Sequence, residues 1–214
     1  MKKKSFRKIQ ETRLVEEEPK IFSLDISQER TGWAFLHGSL VMGCGNIKRS
    51  DYFDKDAVTF NSPEFGNMLA SYSKVVWDVF EQCIHNYGEP DYFVVEDLNI
   101  RYIKAAKSLL QFQAAAKIAI SQATSGSTDI YMINNQTVKA FMGVRTLKSN
   151  MLPRIKELAK LFKQKEVKIL MVDEVNRKYP FLSLRYEQND EADAIAQALT
   201  FYKKVIIAGK DKEE

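Results

Sequence analysis

The stretch IFSLDISQERTGWA, from Ile21 to Ala34, constrains the fold more than any other part of this chain. An apolar run reaches Asp25, polar residues around Ser27 follow, and Thr31-Gly32-Trp33 turns the chain back into apolar residues. The pattern reads as strand, carboxylate, turn, strand. An unpaired ion moved from water into a protein interior costs several kcal/mol, so an acid at the end of a buried strand needs a partner, and a metal ion is one. The plainer alternative is that Asp25 caps the Ser27 turn.

The rest of the chain supplies the elements that such a strand needs. Gly38-Ser39 separates two further apolar runs as a hairpin would, so three antiparallel strands open the sheet. Ser62-Pro63-Glu64 predicts a helix start with Ser62 as cap and Pro63 at the first helical position. Apolar residues from Phe65 to Tyr87 then recur at helical spacing up to Gly88. Tyr92-Phe93-Val94-Val95 is a short continuous apolar run, expected of a central strand, and it ends on a second acid pair, Glu96-Asp97. The helix expected from about Lys104 to Ala123 is apolar nearly all round, which predicts cover on two sides, by the sheet and by a second copy of the chain. Ile130 to Ile133 predicts a fifth strand. A short helix opens at Gln136 and stops at Gly143, and an amphipathic helix spans Ser149 to Gln164. Periodicity weakens between Lys165 and Asn189, where Lys168–Val172 reads as a short strand. A last helix runs from about Asp190 to Ile206, with Asp190 and Asp193 three apart on one face of its first turn, where the helix dipole favours negative charge.

Composition excludes several classes. The 214 residues, 45% hydrophobic and 28% charged, suffice for one α/β domain without staples. Cys44 and Cys83 lack metal-ligand or paired-loop spacing, and His37 and His85 have no ligand-spaced partner, which argues against zinc and for a reduced intracellular setting. No run of about 18 apolar residues and no signal-peptide pattern occurs, so a soluble, cytoplasmic protein is expected. Charge is uneven: residues 98–168 carry 13 Lys or Arg against 3 Asp or Glu, beside acidic flanks. That block suits a polyanion partner, or else a solvated lysine face. A sugar-kinase-like or actin-like ATPase, which shares an opening Asp and a Thr-Gly turn, needs glycine-rich phosphate loops and a second similar domain; 9 glycines in 214 residues provide neither.

Asp25, Glu96, Asp190 and Asp193 are thus four carboxylates on three elements that a five-stranded mixed sheet brings to one edge. All-oxygen ligands select magnesium or manganese. Two such ions about 3.5–4 Å apart bind a phosphodiester, activate water and stabilise the leaving oxygen.

Asp25-x-Ser27 with Thr31-Gly32-Trp33-Ala34, Val94-Val95-Glu96, Gln136-Thr137-Val138-Lys139 with Gly143, and Asp190-x-x-Asp193-Ala194 together resemble the RuvC-type Holliday-junction resolvases of the RNase H superfamily, in order from about residue 20 to 206. The resemblance implies an RNase H-like α/β fold over residues 20–207, with charged tails at 1–19 and 208–214. It implies a homodimer that binds four-way DNA junctions and nicks opposing strands with two Mg²⁺ ions, Mn²⁺ substituting, leaving 5′-phosphate and 3′-hydroxyl ends. Asp25, Glu96, Asp190 and Asp193 take the metal-binding acid positions; Lys139 and Lys148 match DNA-contacting lysines, Lys148 also stabilising charge on the scissile phosphate. Arg101, Tyr102, Lys104, Lys107 and Arg145 complete the expected DNA contacts. The chain departs from the bacterial pattern in having no aromatic residue directly after Glu96, with Tyr102 either a substitute wedge or a residue that packs at the helix start, and in a longer segment before Asp190. It looks more like a bacteriophage-encoded member, such as those of lactococcal phages, which leaves open both broader cleavage of forks and flaps as the alternative to strict junction selectivity and the use of a host branch-migration motor. A non-catalytic branched-DNA-binding protein and a nuclease of RNA–DNA hybrids are the competing readings.

Overall fold

Five short runs rich in Ile, Val, Phe and Tyr form one mixed sheet, in a computed structural model that describes residues 18–53, 62–97, 103–144 and 153–210. The strands are β1 (Lys20–Asp25), β2 (Arg30–His37), β3 (Leu40–Lys48), β4 (Tyr92–Asp97) and β5 (Asp129–Asn134), in the spatial order β3-β2-β1-β4-β5. The first three pair antiparallel, whereas β4 runs parallel to β1, and β5 parallel to β4. Parallel pairing requires crossovers. Helix α1 (Glu64–Tyr87) lies between β3 and β4, and α2 (Ile103–Ala123) between β4 and β5.

Alternation along the strands sends side chains to two different cores. Phe22, Leu24, Phe35, Phe93 and Val95 meet Tyr72, Val76 and Phe80 of α1 and Phe112, Ala116 and Ile120 of α2. Ile21, Ala34, Leu36 and Val94 face the opposite way, onto the last long helix, α6 (Asn189–Phe201), and onto α5 (Glu166–Lys178) behind it. Two shorter helices, α3 (Asn135–Phe141) and α4 (Pro153–Leu161), complete the named elements.

Several sequence expectations change. Lys168–Val172 is not a strand but part of α5, where Ile169, Val172 and Val175 are buried three residues apart. A run of five mostly apolar residues fits either element; burial at helical spacing decides it. Thr31-Gly32-Trp33 is not a turn: it begins β2, with Gly32 paired to Asp25, and the reversal lies one step earlier, where the Ser27 hydroxyl donates to the Arg30 carbonyl at 2.6 Å and accepts from the Arg30 amide at 3.1 Å. Ser62 makes no side-chain cap for α1; Pro63 holds the cap position with helical dihedrals. Helix α4 starts at Pro153, and the expected start at Ser149 lies outside the described residues. Helix α6 leaves α-geometry after Phe201 and continues as π-helical turns over Tyr202–Ile207. Of the expected tails, residues 1–17 and 211–214 also lie outside the described residues. No helix among the described residues is long and apolar enough to cross a membrane.

The outer face of α2 keeps apolar side chains in solvent. Ile118 stays 55% exposed, and Met132 on the edge strand β5 58%, with Leu110 of α2 and Ile130 of β5 also exposed.

Candidate metal and nucleic-acid site

Parallel pairing of β1 and β4 sets Leu24 opposite Val95, so the next residues, Asp25 and Glu96, leave the same end of the sheet. Helix α6 reaches that end because small residues, Gly32 and Ser23, lie under its first turns. Ala192, Ala194, Ile195, Ala196 and Ala198 are fully buried along it. The Ser23 hydroxyl of β1 donates to the Ala194 carbonyl at 2.7 Å. Gly32 lies directly under the first turn, so close that a Cβ there would stand 2.0 Å from the Asp190 carbonyl oxygen. Gly32 is required by this approach of two backbones rather than by a turn conformation.

The outcome is a three-carboxylate cluster. Oxygens of Asp25, Asp190 and Asp193 all lie within 4.8 Å of one another. Glu96 stands next to it, with one carboxylate oxygen accepting from Asn135 Nδ2 at 2.7 Å and its carbonyl accepting from Gln113 Nε2 at 2.6 Å. Asp25 is not a turn cap: Gln197 Nε2 donates to it at 3.2 Å, while the Gln197 Oε1 is buried with no hydrogen-bond partner among the described residues.

Among the described residues, Lys168 and Arg30 make ion pairs with the acids. The Lys168 ammonium, on α5, lies 3.7 Å from Asp25 and 3.5 Å from Asp190, and it donates a hydrogen bond to Asp193. Arg30 Nε lies 3.8 Å from Asp190, and Arg30 Nη1 donates to the Glu187 carbonyl at 2.6 Å. Burial pushes the Asp25 carboxyl up to about 8, and the Asp193 charge adds to the rise while Lys168 opposes it. Asp193 is raised in turn by its burial, against Lys168. Burial alone would lower Lys168, yet Asp25, Asp193 and Asp190 together outweigh it and hold the ammonium above its ordinary value. Carboxylates resist ionising side by side unless positive charge is present.

An all-oxygen donor set with an unsatisfied amide oxygen in its wall suits a hard divalent cation better than zinc. A groove of about 710 Å³ opens beside Asp190, lined by Ser27, Arg30, Lys48, Arg49 and Asn189.

The structure therefore groups Asp25, Asp190 and Asp193 and sets Glu96 beside them. Lys139 is near enough for its charge to act on Asp193. Lys107 sits exposed on α2, and Lys104 is on the same helix, its side chain outside the description. Arg101, Tyr102, Arg145 and Lys148 lie outside the described residues. Sequence reasoning misses Gln197, Asn135, Arg30 and Lys168. Gln197 carries a signal, being four residues after Asp193 on the same helical face; Lys168 carries none, because its segment reads as a strand.

No protein-family model and no curated protein matches the chain. Solved structures do match. Thermus thermophilus RuvC in complex with a Holliday junction substrate superposes with a TM-score of 0.53 at 16% identity, over 86% of this chain and 95% of that one. A second Thermus thermophilus RuvC structure gives 0.54 at 15% identity, over 88% and 96%. The crystal structure of the yeast mitochondrial Holliday junction resolvase gives 0.50 at 10% identity, over 94% and 87%. At these identities the likeness is one of fold: a mixed five-stranded sheet flanked by helices.

Proposed function

We propose that this chain is a divalent-metal-dependent endonuclease of branched DNA, with four-way junctions as its principal substrate. The observation that carries this reading is the convergence of Asp25, Asp190 and Asp193 within 4.8 Å, beside Glu96, on a fold shared with junction resolvases. Asp25, Asp190 and Asp193 would hold the ions, with Glu96 completing the set, and Mg²⁺ or Mn²⁺ fits their oxygens. Such ions, when bound, activate a water and stabilise a leaving 3′ oxygen, which accords with 5′-phosphate and 3′-hydroxyl ends.

The chain's own residues do the positioning. Gln197 orients Asp25, and Asn135 orients Glu96. Arg30 and Lys48 line the groove beside Asp190, where DNA phosphates fit. Lys139 and Lys107, with Arg101, Tyr102, Lys104, Arg145 and Lys148, extend the contacts along the basic block. Opposing nicks need two sites, and the exposed Leu110, Ile118, Ile130 and Met132 give a surface for a homodimer built through α2. Cleavage of forks and flaps is the second reading, favoured by the absence of an aromatic residue directly after Glu96; it suits a phage enzyme that works without a host motor.

The test uses purified protein with labelled junction, fork, flap and RNA–DNA hybrid substrates, with and without Mg²⁺, beside Asp25→Asn. Metal-dependent paired nicks in the junction, lost in the variant while junction binding stays within a few fold, are expected. Nicking that is indifferent to metal, or full activity in Asp25→Asn, would overturn the reading.

A further inference from the structure

Three half-buried carboxylates at one point stay ionised together only with positive charge beside them, and among the described residues a lysine lies within reach. Lys168 is the one described residue whose charge contacts all three: its ammonium lies within 4 Å of Asp25, Asp190 and Asp193 alike. We propose that Lys168 is a tethered counter-ion that holds the carboxylate pocket together without metal and yields it to divalent ions, so that loading the site is an exchange of an ammonium for metal. This inference rests on the reading of the three aspartates as metal ligands.

The geometry supports exchange rather than coexistence. A divalent ion of this class approaches each carboxylate oxygen to about 2.0–2.6 Å and so must sit among the three. An ammonium bonded to Asp193 and close to the other two already fills that centre. The tether is firm at one end and loose at the other. Ile169, Met171, Val172 and Val175 bury α5 against the rest of the fold and fix the Lys168 backbone, while the side chain is a flexible four-carbon stem. That side chain is 31% exposed, so the ammonium can withdraw into water without moving the helix. Arg30 is no substitute, since it touches only Asp190 and is held by the Glu187 carbonyl.

Exchange has a measurable signature apart from catalysis. Lys168→Met keeps the stem and removes the charge. Without metal it should melt several degrees below the parent protein, yet bind Mn²⁺ about tenfold or more tightly by calorimetry, with a larger metal-induced rise in melting temperature; Lys168→Arg should stay near the parent. In the parent protein, acylation of Lys168 read by mass spectrometry should be slow without metal and several-fold faster with Mn²⁺, a readout that stands even if Lys168→Met does not fold. Unchanged or weaker Mn²⁺ binding in a folded Lys168→Met, no Mn²⁺ binding by either protein, or Lys168 labelling indifferent to Mn²⁺ would overturn the exchange. Nicking assays on the same samples separate the two claims. Tighter Mn²⁺ binding with no cleavage by either protein leaves the exchange standing and removes the nuclease, whereas metal-dependent cleavage with unchanged Mn²⁺ affinity does the reverse.

Discussion

The two faces of the sheet are built from different materials. On one, Phe22, Phe35, Phe80, Phe93, Tyr72 and Phe112 fill the space under α1 and α2, with Phe22 and Phe80 rings 5.0 Å apart edge to face. On the other, Ile21, Leu36 and Val94 are aliphatic, and Gly32 and Ser23 let the first turns of α6 come close to the strands. Large rings bury much area and hold the elements apart; small residues bury less and bring backbones together. The thick face supplies stability, and the thin face supplies position. Only on the thin face can the first turn of a helix come close enough to a strand end for their acids to meet.

That division predicts where damage goes. Gly32→Ala should have the largest effect on nicking. It forces a methyl group against the Asp190 carbonyl, where 2.0 Å is available, costing about 1–3 kcal/mol of stability by overpacking. Displacing the acids by about 1 Å should also cost on the order of 100-fold in junction nicking. Denaturant melts and nicking rates measure the two losses, and a Gly32→Ala protein with parental activity breaks the division. Phe93→Ala comes next: about 3–5 kcal/mol of stability lost from the thick face, with nicking by the folded fraction and Mn²⁺ affinity close to parental. Loss of metal affinity there would show that the thick face also sets position.

A finer comparison removes one hydroxyl from each side. Ser23→Ala deletes the bond to the Ala194 carbonyl, and Tyr72→Phe deletes the contact with Thr31 Oγ1 at 3.1 Å. Each should cost about 1 kcal/mol in melts, yet only Ser23→Ala should slow nicking. The smallest effect uses the thiols, one packed against each face. Burial pushes Cys83, on the thick side, up to about 12. Cys44, on the thin side, is pushed up to about 11 by burial and the Glu191 charge. Thiolate is scarce in both well above neutrality, so iodoacetamide at pH 8 should leave both nearly untouched. In Gly32→Ala, mass spectrometry should find faster alkylation of Cys44 alone.

Much of this is legible in the sequence, for identifiable reasons. Strands β1, β4 and β5 announce themselves by short apolar runs, and α1 by its unbroken helical spacing between Phe65 and Tyr87. Asp25 and Glu96 stand out because a charge at the end of an apolar run needs explaining, and Asp190 and Asp193 because three residues place them on one face. What stays hidden depends on approach in three dimensions. Gly32 reads as a turn glycine, since no local pattern tells of a helix arriving from the far end of the chain. Lys168 hides in a run whose composition suits a strand, and its aim at the acids follows from how α5 packs behind α6. Asn135 and Arg30 likewise acquire partners only through folding.

The pocket draws one acid from the first strand and two from the last long helix, so a ribosome must deliver almost the whole fold before the cluster exists. A half-made chain holds its carboxylates on separate, hydrated segments, and a fragment ending before Asp190 lacks two of them altogether. On the proposed reading, cutting power would therefore arrive late and all at once, since no fragment ending before Asp190 carries the three-carboxylate cluster.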